Sequence, residues 1–417
     1  MNHAIVIGDG INGLCAALSL AKRSLRVTLV GPDVGGENDR ALICSQHVSD
    51  WLKRELPEVE RTLIERGARS ISIAEILRTR FPLLPARDED ERSKFLCLSQ
   101  SFFRRALEDR LASSGVEVLR GNVTGLVTNG ASRVTGIALG DRRVAANLVI
   151  DATGAGAVRA KWLTDAGLRA DRTRLVGPSY KVLSRIYRST ASEPISFFLA
   201  SSHSFRGGVY PLENDRFAIS LVVPESLLLE KSEAHAFFDR AIPSIPRATK
   251  ILASSTPTSE LQVLDGIRNG STDFYSSHSG IEGLFPVGES VFTGNPVYGR
   301  GISLAVLELR GLLKGLDASS ELDLSLIRSE TRKGVAHAKR YWREGAIADT
   351  AESGPLKRLR DAYVDFVIPQ LETDPALTRR FLYNYQLMLP AWRITGPMQI
   401  FRALSLKWPR SPLIIEE

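Results

Sequence analysis

Ala4-Ile5-Val6-Ile7-Gly8-Asp9-Gly10-Ile11-Asn12-Gly13-Leu14-Cys15-Ala16-Ala17-Leu18 begins as an apolar strand, turns through three glycines and leaves as an Ala/Leu-rich helix. The spacing predicts a dinucleotide cradle. Gly8 serves the tight turn, Gly10 lets the backbone approach a pyrophosphate, and Gly13 lets helix and strand pack closely. The helix start, with Ile11 and Asn12 in its first turn, offers free N–H groups and a positive dipole to phosphates. A second strand over Arg26 to Val30 closes the unit, which is the context the motif needs. One part of the pattern is missing. The acidic residue expected at the tip of that strand, to hold a ribose hydroxyl, is Gly31, and Asp33 comes two residues late. Either Asp33 reaches back from the loop or the ribose is held another way.

The chain has 417 residues, long enough for two or three domains. Its 43% apolar and 24% charged residues are those of a soluble globular protein. Glycines interrupt the opening apolar run, so it predicts no signal peptide, and no apolar window predicts a spanning helix. Cys15, Cys44 and Cys97 are scattered without metal-ligand spacing, which points to reduced thiols, a cytoplasmic location and no metal site. The net charge of +7 raises the question of nucleic acid. No recognised nucleic-acid module accompanies it, and a mild basic excess suits anionic cofactors instead.

After the first unit, Ala41 to Gly67 reads as largely helical, and the run Arg87-Asp88-Glu89-Asp90-Glu91-Arg92 reads as an exposed loop. A helix follows over Ser101 to Leu111. A small meander from Val123 to Val144 leads into Asn147-Leu148-Val149-Ile150-Asp151-Ala152-Thr153-Gly154, the form of a buried parallel strand whose carboxyl end meets a ligand. From Arg169 to about Ser279 the texture changes to alternating strands, with Asn214-Asp215 as a hairpin turn. Glycine-rich chemistry then returns in Gly283-Leu284-Phe285-Pro286-Val287-Gly288-Glu289-Ser290 and Asn295-Pro296-Val297-Tyr298-Gly299-Arg300-Gly301-Ile302-Ser303, followed by a helix over Leu304 to Leu316. Strand, acidic turn, loop and helix start together form a second anion-receiving device. The fold class is therefore α/β: a Rossmann-like dinucleotide-binding domain over 1–168 and 280–345, an inserted antiparallel sheet over 169–279, and a helical C-terminal region over 346–417. The final helix, Met398 to Trp408, reads as packed or as lying on a membrane surface without stable insertion.

With these three glycine-bearing elements in order, the chain resembles the FAD-dependent monooxygenases built like para-hydroxybenzoate hydroxylase, in their aromatic hydroxylase and epoxidase branch. The loop Asn295 to Ser303 carries the resemblance most specifically. The resemblance implies an FAD-binding domain of the glutathione-reductase type, with Gly8, Gly10 and Gly13 at the pyrophosphate, Asp151, Thr153 and Gly154 in a second contact segment, and Gln100 close to the flavin. It also implies Gly288 and Glu289 on the ribityl side and Pro296, Gly299, Gly301 and Ile302 at the flavin edge. The implied reaction uses NAD(P)H as a transient reductant and inserts one oxygen atom from O2 into an aromatic or polyene substrate through a C4a-hydroperoxyflavin. Several positions depart from the pattern: Gly31, Glu289 for the usual Asp, Ala155 and Ala157 for Arg and Ser, and a Ser99-Gln100-Ser101 segment without an arginine.

No nucleophilic triad is visible, as expected where the cofactor carries the hard chemistry and the protein orients substrate and excludes water. Candidate substrate-facing residues are Tyr210 on the inserted sheet and Tyr298 and Pro296 on the flavin loop. Lys181, Arg185 and His47 are further candidates, with solvated strand faces and a satisfied hydrogen-bonding histidine as the ordinary alternatives. A flavin-dependent reductase or halogenase on the same fold, or a non-catalytic FAD-binding protein, are the rival readings. The WxWxIP segment of tryptophan halogenases is absent.

Overall fold

The computed structural model describes residues 1–32, 39–130, 132–155, 158–191, 195–202, 204–227, 230–245, 247–277, 280–319, 321–350 and 370–394. Asp33, Ala157 and the segment Met398 to Trp408 lie outside them. Five parallel strands form the central sheet, in the order Leu284–Pro286, Leu148–Asp151, His3–Ile7, Arg26–Gly31, Glu117–Arg120. The middle strand is covered on both faces, which is why it reads as an unbroken apolar run. One face carries the helix Ile11–Ala21 between the helices Gln100–Leu111 and Gly301–Asp317, with Leu14, Leu18, Phe103, Leu107, Val306 and Leu309 in one buried cluster. The other carries a three-stranded antiparallel sheet over Val123–Asn129, Arg133–Leu139 and Arg142–Ala145, as the meander predicts.

The inserted sheet has seven strands, built around the 17-residue strand Thr173–Ser189. Asn214 and Asp215 turn its hairpin at φ of 55° and 57°, as a tight two-residue turn demands. Phe292–Thr293 pairs with Gln262–Thr272 and ties this sheet to the end of the parallel one. A third sheet joins Ala41–Cys44, Lys94–Ser99 and Arg69–Ser72, and its strand Ala41–Cys44 stands where the sequence reads as helical. Helices Gln46–Glu55 and Pro57–Glu65 are present, but the flanking strands are only four residues long. Such short runs carry no usable period.

The acidic run also differs from expectation. It forms a short helix, Asp88–Arg92, whose Asp90 is fully buried and receives Arg379 Nε at 2.9 Å and the Tyr383 hydroxyl at 3.1 Å. That ion pair docks the C-terminal helix Pro375–Tyr385, itself capped by Asp374 accepting from two backbone N–H groups. The helix Leu324–Thr350 crosses Gly301–Asp317 closely, and any Cβ at Gly311 would stand 2.6 Å from the Glu330 carbonyl.

Candidate functional site

The carboxyl ends of the parallel strands open on one cleft of about 1160 Å³ between that sheet and the inserted one. This is where α/β sheets bind ligands, and the volume exceeds the usual small-molecule range. Gly8 and Gly13 do the structural work that the sequence predicts of them. Gly8 has φ of +105°, and a Cβ there would meet the Ala152 carbonyl at 2.4 Å. One on Gly13 would stand 1.8 Å from the Gly8 carbonyl, so helix and strand touch through backbone. A Cβ on Gly10 would meet nothing within 4 Å. That bare approach is the room a diphosphate needs, and the helix behind it has no side-chain cap to compete for its first N–H groups.

At the tip of the strand Arg26–Gly31, where the sequence expects an acid for the ribose, the place is filled by Asp9. A Cβ on Gly31 would lie 2.5 Å from Asp9 Cγ, and Asp9 Oδ2 takes Arg120 at 2.9 Å and Arg104 at 3.3 Å. A carboxylate therefore stands at the strand tip, supplied by the glycine turn. A glutamate at 31 would not simply complete the site, since the place of its Cβ is already occupied.

Where the resemblance expects the ribityl side of the flavin, Gly288 has φ of +69° and carries the Asn12 amide against it, 2.4 Å from where a Cβ would sit. Its N–H donates at 2.6 Å to Glu308, a fully buried carboxyl whose pKa burial raises well above 4.5, against that bond. Glu289 is exposed on the cleft, with Oε2 3.9 Å from the Cβ position of Gly154. Thr153, Gly154 and Gln100 also line the cleft, but Asp151 does not. Its buried carboxylate binds Thr153 N and Oγ1 and pairs with Arg159, which also holds Asp171 and the Ser290 carbonyl. Asp151 thus shapes the two turns from beneath, and its assignment to direct cofactor contact is corrected.

The loop Asn295 to Gly301 is clamped from behind. Asp349, fully buried, accepts from the Asn269 amide at 2.6 Å, the Asn295 amide at 3.0 Å and the Tyr298 hydroxyl at 3.3 Å. Arg300 reaches the Tyr341 carbonyl and the Asn384 side chain, 3.1 and 2.8 Å away, and drapes the two C-terminal helices over the loop. Gly299 adopts φ of +57° with the Tyr385 hydroxyl 2.4 Å from its Cβ position, whereas Gly301 faces open space at an uncapped helix start. Pro296, Gly299, Gly301 and Ile302 all line the cleft.

The catalytic candidates fare unevenly. Tyr298 lines the cleft, but its hydroxyl is committed to Asp349. Tyr210 is off the cleft, packed 5.4 Å from Phe197 in an aromatic cluster with Phe95 and Tyr385, and burial pushes its pKa up. His47 lies off the cleft beside Arg310, its pKa lowered by burial and by that cation, and Lys181 and Arg185 pair with Asp265 and Asp239. Sequence reasoning missed Arg40, which lines the cleft and bonds Gln100 at 2.7 Å, so an arginine does reach that segment, from just before the strand Ala41–Cys44. It also missed Asp9, Asp349 and Tyr385. Asp9 was visible as the only charged residue between the glycines; the other two had no local signal.

Residues 4–169 match the family model described as FAD dependent oxidoreductase. The chain is 24% identical to Protein Rv3254 of Mycobacterium tuberculosis over 97% of its own length and 93% of that protein. Among solved structures it superposes on PqsL of Pseudomonas aeruginosa, a probable FAD-dependent monooxygenase, with TM-score 0.67, 19% identity and 87% and 100% of the two chains covered. It superposes equally on the flavin-dependent brominase Bmp2, with TM-score 0.66, 14% identity and 97% and 98% covered. Its fold is that of the para-hydroxybenzoate-hydroxylase-like flavoproteins. In this flavoprotein fold the open Gly10 and Gly301 backbones stand at the two helix starts that face the cleft, and the cleft's donors fit FAD. Among the described residues no helix is long and apolar enough to cross a membrane.

Proposed function

We propose that the chain is an FAD-dependent monooxygenase that inserts one oxygen atom from O2 into an aromatic or alkene-bearing small molecule, with NAD(P)H as reductant. The observation that carries the reading is the pair of uncapped helix starts, at Gly10–Ile11 and Arg300–Gly301, opening on one cleft. When bound, FAD supplies electron transfer from the reductant and activation of O2. The protein's own residues supply the rest. Backbone N–H groups at Gly10 to Gly13 would hold the diphosphate of a bound FAD, and those at Gly301 and Ile302 would stabilise negative charge on its flavin. The Asp349 clamp fixes Asn295 and Tyr298, so the loop keeps its shape without reorganising during the reaction. The helix Leu324–Thr350 brings Tyr341, Trp342 and Gly345 to the cleft and screens that side from water.

The second reading is halogenation, favoured by the whole-chain likeness to a brominase. Reconstitution with FAD, followed by turnover of an electron-rich aromatic panel under labelled O2 with and without bromide, separates the two. Labelled oxygen in the product supports oxygenation; brominated product without oxygen gain refutes it.

A further inference from the structure

Four arginines converge on the first turn of the helix Gln100–Leu111, at the edge of the cleft. Arg188 and Arg216 stand directly opposite each other on paired antiparallel strands, a like-charge pairing that costs stability unless an anion lies between. Arg216 Nη2 is 3.4 Å from Ser99 Oγ, Ser99 Oγ is 3.3 Å from Ser101 Oγ, and Ser101 Oγ accepts from Arg105 at 3.3 Å. Arg40 stands on the cleft side of the same helix start, its Nε donating to Gln100 Oε1 at 2.7 Å. The carboxylates present are already engaged: Glu213, fully buried, takes Ser99 N, Ser99 Oγ and Arg216, and Asp39 accepts the Ser101 N–H. Arg40, Arg105 and Arg188 have no carboxylate in ion-pair contact among the described residues, and Arg105 and Arg188 are exposed. Burial, with Arg188 and Arg105 beside it, pushes the pKa of Arg216 down against the pull of Asp39.

A surplus of cations around two serine hydroxyls is suited to a phosphate monoester dianion, which takes charge-assisted bonds from several guanidinium groups at once. FAD carries a diphosphate but no monoester, and its diphosphate is accounted for at Gly10. We propose that Arg105, Arg188 and Arg216, with Arg40 at the cleft edge, receive the ribose phosphate that distinguishes NADPH from NADH. The inference rests on the monooxygenase reading and deepens it by naming the reductant. The site selects the phosphorylated nucleotide and leaves its nicotinamide end free to enter the cleft past Arg40 and Gln100.

The test is calorimetric titration of the FAD-loaded protein with NADP+ and, separately, NAD+, neither of which turns the enzyme over. NADP+ is expected to bind at least about tenfold tighter, with the margin shrinking as salt rises. Arg105→Ala and Arg188→Ala are each expected to weaken NADP+ about tenfold and leave NAD+ unchanged, with Arg188→Lys recovering part of the loss. Both residues are exposed, and circular dichroism of each variant checks that the fold is kept. Equal affinity for the two nucleotides, or NADP+ binding unchanged in both alanine variants, overturns the proposal. So does a coenzyme A preference over NADP+, which would give the site to a phosphorylated substrate. Dithionite reduction of the bound flavin in the same samples tests the redox reading separately.

Discussion

Asp9 and Gly31 offer a perturbation whose sign is set by geometry. Gly31 is outside the positive-φ region, so alanine there is conformationally allowed and would otherwise be neutral or slightly stabilising. Its Cβ, however, lands 2.5 Å from Asp9 Cγ and 2.7 Å from both Cβ and Oδ2, and Asp9 cannot swing aside without leaving Arg120 and Arg104. Gly31→Ala is therefore expected to destabilise by about 1–3 kcal/mol, the usual cost of overpacking. Asp9→Ala alone loses two partly exposed ion pairs, roughly 1 kcal/mol. Together the two should cost less than their sum by about 1–2 kcal/mol, because removing the carboxylate removes the collision. Gly31→Glu follows the same rule: alone it weakens FAD binding, and in the Asp9→Ala background it restores binding by bringing a carboxylate from the strand tip. Denaturant unfolding of the four proteins gives the coupling, and fluorescence titration with FAD gives the second comparison. Additive energies, or tighter FAD binding by Gly31→Glu with Asp9 in place, would refute the claim that Asp9 holds this position.

The other glycines predict a clean division. Gly13→Ala, whose Cβ would be 1.8 Å from a backbone carbonyl, should cost about 3 kcal/mol or more of stability. Gly10→Ala, with nothing within 4 Å, should leave apoprotein melting within about 0.5 kcal/mol of the parent yet weaken FAD at least about tenfold by titration. Burial raises the Glu308 carboxyl above 4.5, so the parent loses stability from this group as pH rises past that value. Glu308→Gln should melt a few degrees higher than the parent at neutral pH, about 2–4 °C per kcal/mol, with the difference vanishing near the pH where both states are protonated. Asp349→Ala strands the amides of Asn269 and Asn295 and the Tyr298 hydroxyl, at about 1–3 kcal/mol for each group left unpaired. Asp349→Asn, read by the same thermal melts, should recover part of this.

The parallel sheet was legible because its strands are covered on both faces and read as apolar runs ending in glycine turns, as at Ile7-Gly8 and Asp151 to Gly154. The small sheet over Ala41–Cys44 was not, since a four-residue strand has no period to detect. The close backbone approaches at Gly8 and Gly13 followed from glycine spacing. Side-chain roles did not: Asp151 turns toward a buried Arg159, Tyr298 is held by a residue 51 positions away, and Arg40 replaces the expected arginine beside Gln100 from just before another strand. Those pairings are made by tertiary packing, and nothing local in the sequence encodes them.

The most direct test of the monooxygenase claim is anaerobic mixing of the FAD-loaded protein with NADPH, followed by labelled O2 and an aromatic substrate panel. The visible flavin absorbance is expected to bleach on reduction, return on oxygen, and leave one labelled oxygen atom in a product detected by mass spectrometry. Flavin that binds and reduces but leaves every panel compound without labelled oxygen, or a protein that binds no FAD, would contradict it.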